Sequence, residues 1–273
     1  MWKRLKPNRK NLRIYQVLIV VLLLAFWYLG TNPNLPAIYF DDSNKAPFFF
    51  GEPQKVLSRL WDWFYGGEIY AHLWVTLVET MLAFAIGTVA GLAIGLWLGL
   101  APAWADVFDP FIKGANAMPR VILAPIFMVW FGLGVGSKVA LGFTLVFFIV
   151  FFNVYQGVRE VSPVVLANAR MLGANNRQLL RSVYLPSAMS WVFASLHNAV
   201  GLAFVGAVVG EYLGSASGVG YLIHQAEGVF DINTVFAGII LLTIFAIVLD
   251  WIVGMIEKRL MVWQPRAGET ERM

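Results

Sequence analysis

The chain has 273 residues, of which 59% are hydrophobic and only 13% charged, about half the charged share of an ordinary soluble domain. It has no cysteine, which excludes disulfides, thiol nucleophiles and thiolate metal sites, and His72, His197 and His224 show no metal-ligand spacing. The net charge of +4 does not point to nucleic acid, because the basic residues stand mostly at the ends of long apolar blocks, where they set membrane topology.

About 20 apolar residues cross the ~30 Å core of a bilayer as a helix, and six blocks meet that requirement. The expected spans are 14–30, a stretch within 72–100, 119–134, 138–157, 187–213 and 232–256. The fold class is therefore all-α, a polytopic membrane bundle of six transmembrane helices. Three segments follow: 1–71 with a tail, the first helix and an external aromatic-rich stretch; a core at 72–257; and a tail at 258–273.

The first span carries the run Val17–Leu29 behind six basic residues, a pattern that also fits a secretory signal. Its end, Trp27-Tyr28-Leu29-Gly30-Thr31-Asn32, lacks a small-x-small cleavage site, which favours an uncleaved anchor. The segment 31–71 contains Asp41, Asp42 and the aromatic-rich stretch Val56–Tyr65. That stretch reads as an amphipathic helix on the membrane face or as an interfacial aromatic belt.

In the second span Gly87, Gly91, Gly95 and Gly99 recur every four residues and make one helix face open to close backbone contact. The stripe serves helix packing, either static packing within one subunit or a sliding or dimer surface. Residues 72–100 would form a helix of ~43 Å, so the turns around His72 are expected outside the apolar core. Between the third and fourth spans, Gly132-Leu133-Gly134-Val135-Gly136-Ser137-Lys138 is a turn. A phosphate loop needs G-x-x-x-x-G-K-[ST], which the chain lacks.

The longest polar interruption between inner spans is 158–186. Small residues Ala167-Asn168-Ala169 lead to Gly173 and Ala174, and a later apolar run ends in Leu185-Pro186. This predicts a short helix, a glycine break, a second helix, and a proline opening the next span.

Charges within spans cost roughly 2.5–3.5 kcal/mol at mid-membrane, so they face protein or water. Glu79 lies in the second span and His197 in the fifth. His197, Gly201, Phe204, Val208 and Glu211 share one helix face and, with Glu79, are candidates to line a pathway. Equally open is a structural pairing of Glu79 with His197, a capping role for Glu211 near the outer surface, and a structural role for Asp250. With the N-terminus inside, inner segments hold 16 of the 20 Lys and Arg residues, and the outer ones keep Lys45, Lys55, Arg59 and Lys138. Both termini are therefore expected to be cytoplasmic.

At the 158–186 segment the sequence resembles the "EAA" signature of ABC-importer permeases: E-A-A, three residues, G, nine residues, I, one residue, L-P. Ala167-Asn168-Ala169, Gly173, Val183 and Leu185-Pro186 occupy those places. The resemblance runs from about 45 to 263 and includes Trp130–Gly134, Glu211 with Gly218-Val219-Gly220-Tyr221, and Phe236-Ala237-Gly238-Ile239. It is similar to the nitrate/sulfonate/taurine branch. The resemblance implies a type I ABC-importer permease fold in a bacterial inner membrane, multi-pass, without catalytic or metal-binding residues of its own. It further implies a second copy of the chain, a cytoplasmic ABC ATPase dimer carrying ATP and Mg, and an external substrate-binding protein, with no role for nucleic acid. Ala167, Asn168, Ala169, Gly173, Ala174, Leu185 and Pro186 would form the ATPase-coupling segment, with the 164–176 helix seated in the ATPase. Two features depart from the family. Its opening glutamate is Ala167 here, and relatives often carry arginine at the positions of Glu79 and His197. The expected cargo is a small nitrate-, sulfonate- or taurine-like anion, or alternatively an aromatic acid or heterocyclic vitamin precursor. A proton-coupled secondary transporter using Glu79, His197 or Asp250 is the rival of another class.

Overall fold

The computed structural model describes residues 12–33 and 45–260, and all regular structure among them is helical. Asp41, Asp42 and the basic residues before Leu12 and after Leu260 lie outside the described residues. The chain divides into two compact units, Met1–Ile69 with Ile223–Leu241, and Tyr70–Leu222 with Leu242–Met273. Residues 223–241 thus group with the N-terminal segment.

In the first unit, α1 (Leu12–Thr31) is the expected first span, and its apolar residues from Ile14 to Leu24 are exposed. A helix this uniformly apolar has no water-facing side and belongs in lipid. The aromatic-rich stretch folds as α3 (Pro53–Gly66), which follows a short α2 (Lys45–Phe50). It buries Val56 and Trp63 while leaving Leu57, Trp61 and Tyr65 exposed. Trp27 Nε1 donates to the Phe50 carbonyl at 3.0 Å, and its ring lies 5.8 Å from that of Phe236. Asp231 precedes α12 (Ile232–Leu260) and accepts from Thr234 N at 3.1 Å and Thr234 Oγ1 at 2.6 Å. That is an N-cap, with one otherwise orphaned backbone donor and one hydroxyl satisfied by the same carboxylate. Arg59 reaches the same carboxylate at 3.2 Å.

The second unit is built around α7 (Val135–Arg159), with α4 (Glu68–Leu100) on one side and α10 (Leu185–Leu213) on the other. Lipid offers no hydrophobic force between helices, so close backbone approach must supply the packing. The glycine stripe of α4 faces α7 of the same chain. A Cβ placed on Gly87, Gly91, Gly95 or Gly99 would lie within 3 Å of Val146, Val150, Val154 or Val158 respectively. On the other side, Gly206 of α10 meets the Gly142 backbone, and Gly157 receives the Trp191 ring. Val146, Val150, Val154 and Val158 join Val192, Leu196, Val200 and Val253 in one buried cluster.

The third span differs from expectation. Instead of a helix over 119–134, the structure has a 3₁₀ turn at Arg120–Leu123 running into α6 (Ala124–Phe131). These 12 residues reach only ~18 Å, too short for the apolar core. They are bent by 86° from α5 (Pro102–Ala117), a helix in the connection between the second and third expected spans. Among the described residues, five helices are long and apolar enough to cross a membrane, and the bent pair makes six if it counts as one span. Pro119, just before the turn, lacks an amide proton and restricts Met118 to the extended region, which explains the break.

Candidate functional site

Two arrangements carry chemistry or contact, and both follow from local sequence. The first is the connection from α7 to α10. After α7, Ser162 precedes α8 (Pro163–Met171), which has no buried residue. The helix ends at Gly173, whose φ of +85° only glycine adopts readily. Gly173 N donates to Arg170 O at 2.9 Å and Ala174 N to Ala169 O at 3.0 Å, closing the helix end. Asn175 then caps α9 (Asn176–Leu179) in a reciprocal capping box with Gln178. The result is a protruding foot on which Met171 is 81% and Leu172 89% exposed, with Val164, Val165, Ala167 and Asn168 also exposed and Ala169 half-buried.

The expected fresh start at Pro186 is revised. Helix α9 runs without interruption through a π-helical turn at Leu180–Tyr184 into α10, with Leu185 and Pro186 as its opening residues. Proline lacks the N–H for an α-helical bond and crowds the carbonyl four residues back. A wider π turn before it relieves that crowding.

The second arrangement is a buried polar knot joining α4, α7, α10 and the loop after α10. Glu211 is fully buried; its Oε1 accepts from Thr76 Oγ1 at 2.5 Å and its Oε2 from Gly220 N at 2.8 Å. Thr76 Oγ1 also accepts from Val219 N at 3.2 Å, and His72 Nδ1 accepts from Gly218 N at 3.1 Å. The glycines are what let the loop wrap the carboxylate. A Cβ at Gly218 (φ +102°) would fall on the Glu211 carboxyl group, and one at Gly220 would lie 2.9 Å from Glu211 Cβ. Glu79, 1% exposed, hydrogen-bonds Glu211 through its side chain, while its Oε2 is without a partner. Lys138, also fully buried, interacts with both carboxyl groups and donates to the Leu133 carbonyl. Gly210 leaves space for the Lys138 stem, since a Cβ there would sit 2.8 Å from Lys138 Cγ. Buried charges survive in apolar surroundings when paired and hydrogen-bonded, and these groups meet most of that requirement among themselves.

The six positions read as a pathway face therefore divide. Glu79 and Glu211 lie in the knot, and Val208 is half-buried with its carbonyl against Gly220. Phe204 packs on Phe245 at 5.8 Å, Gly201 is exposed with no atom near its missing Cβ, and His197 is 40% exposed. Glu79 does not pair with His197. His197 Nδ1 instead meets Asp250 Oδ1 at 3.0 Å, so Asp250 is a functional candidate that sequence reading set aside as structural. Lys138 was missed as well, because it was counted among outer topology charges. Its one sequence signal was that, like Glu79 and Glu211, it sits near the end of an apolar block on the same expected side.

With this geometry in place, comparison with known proteins becomes informative. The profile of the family described as "Binding-protein-dependent transport system inner membrane component" matches residues 87–262, which include the whole foot. This chain belongs to that family. A protein assigned as the aliphatic sulfonates transport permease SsuC of Bacillus subtilis (strain 168) is 31% identical over 96% of this chain and 92% of its own length. The taurine transport system permease protein TauC of Escherichia coli (strain K12) is 28% identical over 90% and 87%. The riboflavin transport system permease protein RibX of Chloroflexus aurantiacus is 28% identical over 96% of each. Among solved structures, a chain of the MetNI methionine ABC transporter in an inward-facing conformation matches with a TM-score of 0.58 at 18% identity. It covers 70% of this chain and 94% of that one. The permease is thus a multi-pass transport subunit of a binding-protein-dependent ABC importer, and ATP hydrolysis resides on a separate subunit.

Proposed function

We propose that two copies of this permease enclose a pathway for a small organic anion of the sulfonate or taurine type. Each copy seats its foot in one subunit of a cytoplasmic ATPase dimer, which binds ATP and Mg. Both termini and the foot lie in the cytoplasm, and a loaded binding protein docks on the opposite face. The positive-inside distribution of Lys and Arg supports that orientation. The observation that carries the reading is the foot itself. It is a nine-residue helix with none of its side chains buried, closed by a left-handed glycine, and placed where relatives carry their coupling signature. An isolated helix this short is unstable in water, so a segment built this way and left uncovered fits a partner.

ATP-driven closure of the ATPase pair moves the two feet, and the spans alternate between inward-open and outward-open states. A ligand shifts such an equilibrium only by binding the two states differently, and ATP inside with loaded binding protein outside supplies that difference. His197, Gly201 and Asp250 are the pathway residues we assign, because exposed polar groups on span helices face water or protein rather than lipid.

A heterocyclic or aromatic cargo is the second reading. The riboflavin permease RibX supports it, as do Glu79 and His197 in place of arginines that would draw anions. A proton-coupled carrier needs no ATPase, and family membership speaks against it.

Cysteines at 167–176 in the membrane-embedded complex should crosslink to the nucleotide-binding subunit. Absence of any such product, or labelling of these positions from outside the cell, overturns the docking and the orientation together. Thermal-shift screening of the cognate binding protein with taurine, alkanesulfonates and riboflavin then separates the two cargo readings.

A further inference from the structure

We infer that the ATPase groove receiving this foot has an apolar floor and an acidic rim, opposite in sign to the groove that suits a foot opening with glutamate. The inference rests on the docking reading above and adds the chemistry of the contact. Four apolar side chains are exposed on the foot, Val164 at 66%, Val165 at 49%, Met171 at 81% and Leu172 at 89%, with the exposed Asn168 among them. Residues 164 and 171 are seven apart, as are 165 and 172, so all four share one side of two helical turns. Ala167 and Ala169 between them keep the profile low, which lets a partner surface approach the helix closely.

The charge of the foot is one-sided. From 158 to 186 the exposed ionic residues are Arg159, Glu160, Arg170, Arg177 and Arg181, four positive and one negative. Glu160 accepts from Gln156, and Arg159 lies over the Tyr155 ring, so Arg170, Arg177 and Arg181 are the cations nearest the apolar tip. Where a glutamate would open the signature, Ala167 leaves no acid on α8 to oppose them. Charge complementarity sets partner choice and encounter rate more than raw affinity. A helix with an apolar stripe and arginines at its end therefore fits an apolar groove whose rim carries carboxylates. A membrane surface would also accept basic and apolar groups. Helices that lie in that interface, however, are rich in Lys or Arg and carry Trp, Phe or Leu, whereas α8 has a single Arg, a single Leu and no aromatic residue.

The test uses the full-length permease in nanodiscs and the purified ATPase subunit, with affinity measured at low and high salt. Ala167→Glu should weaken association about three- to ten-fold at low salt, and the loss should shrink as salt screens it. Ala167→Gln, equal in size but neutral, should lose only the close approach that the small residue allows, so it should weaken binding less than Ala167→Glu at low salt and by the same factor at both salts. The pair Arg170→Glu and Arg177→Glu should slow association about ten-fold, and Leu172→Glu should weaken binding at least about ten-fold at either salt. If Ala167→Glu tightens binding, or if Gln and Glu weaken it equally, the acidic rim is wrong while docking stands. If Leu172→Glu and Gly173→Leu both leave affinity unchanged, docking itself is wrong. A fluorophore at position 172 quenched by brominated lipid in the ATPase-bound complex would place the tip in the bilayer and overturn the proposal.

Discussion

Replacing Gly91 by alanine tests the packing of α4 on α7 where two of the three nearest atoms are backbone. The added methyl would sit 2.9 Å from the Phe147 carbonyl oxygen, 2.9 Å from Val150 Cβ and 3.0 Å from the Phe151 amide nitrogen. Two of these three atoms belong to helix backbone and cannot rotate aside. The helices must part by roughly 0.5–1 Å to restore ordinary contact, which forfeits dispersion along the whole seam from Gly87 to Gly99. Overpacking of this kind costs about 1–3 kcal/mol, and backbone neighbours place Gly91 near the upper value. Alanine's better helix propensity offsets up to ~1 kcal/mol, leaving a net loss of ~2 kcal/mol. At ~2–4 °C per kcal/mol for chains of this size, the apparent Tm should fall by ~4–8 °C in detergent, read by fluorescence-detected unfolding. Gly99→Ala meets only the Val158 side chain, with a nearest approach of 2.8 Å, and should cost less. Gly201→Ala, with no atom within 4 Å, is the control and should not lower Tm, the helix-propensity gain of up to ~1 kcal/mol raising it by at most ~2–4 °C. Wild-type stability in Gly91→Ala, or an equal loss in Gly201→Ala, would refute the reasoning.

Thr76→Val removes both the donor to Glu211 and the acceptor for Val219 N, so unfolding should become easier by roughly 2–3 kcal/mol, whereas Thr76→Ser should keep most of the stability. Equal melting of the two variants would mean the hydroxyl contributes nothing. At Asp231, burial raises the carboxyl pKa, but the Thr234 hydrogen bonds and Arg59 outweigh it and hold the group below its ordinary value. A depressed folded-state pKa stabilises above the unfolded value of about 3.9, and the contribution is lost as pH falls through the folded value. The Tm difference between wild type and Asp231→Asn should therefore be constant near neutrality and shrink as pH falls below the unfolded value; a gap that stays constant through that acid range contradicts the assignment. At Gly173, φ of +85° costs a bulky residue about 1–2 kcal/mol, while asparagine tolerates that region. Gly173→Leu should abolish substrate-stimulated ATP hydrolysis with membrane insertion intact, and Gly173→Asn should retain most of it.

How legible the molecule was depended on the range over which each signal acts. The membrane spans could be read because a bilayer acts on every residue of a helix, so a run such as Val17–Leu29 reports its solvent directly. The foot was legible for a similar reason. Its glycine, caps and proline are local backbone devices, and only the continuity through the π turn at 180–184 escaped the reading. The third span misled because apolar content over 119–134 measures preference for lipid, whereas Pro119 and the 86° bend decide length and direction.

What the sequence alone determined is an all-helical membrane chain with an exposed helix–glycine–helix connection between α7 and α10. Only the tertiary structure decided which charges meet. Glu79, Lys138 and Glu211 lie on three helices far apart in sequence, and His197 finds Asp250 across 53 positions. The glycine stripe shows the same division of information. Its period of four announced a close contact, but its partner valines on α7 became known only once the two helices were packed together. A charge or a missing side chain states locally that it needs a neighbour, and helix packing alone determines which residue fills that need.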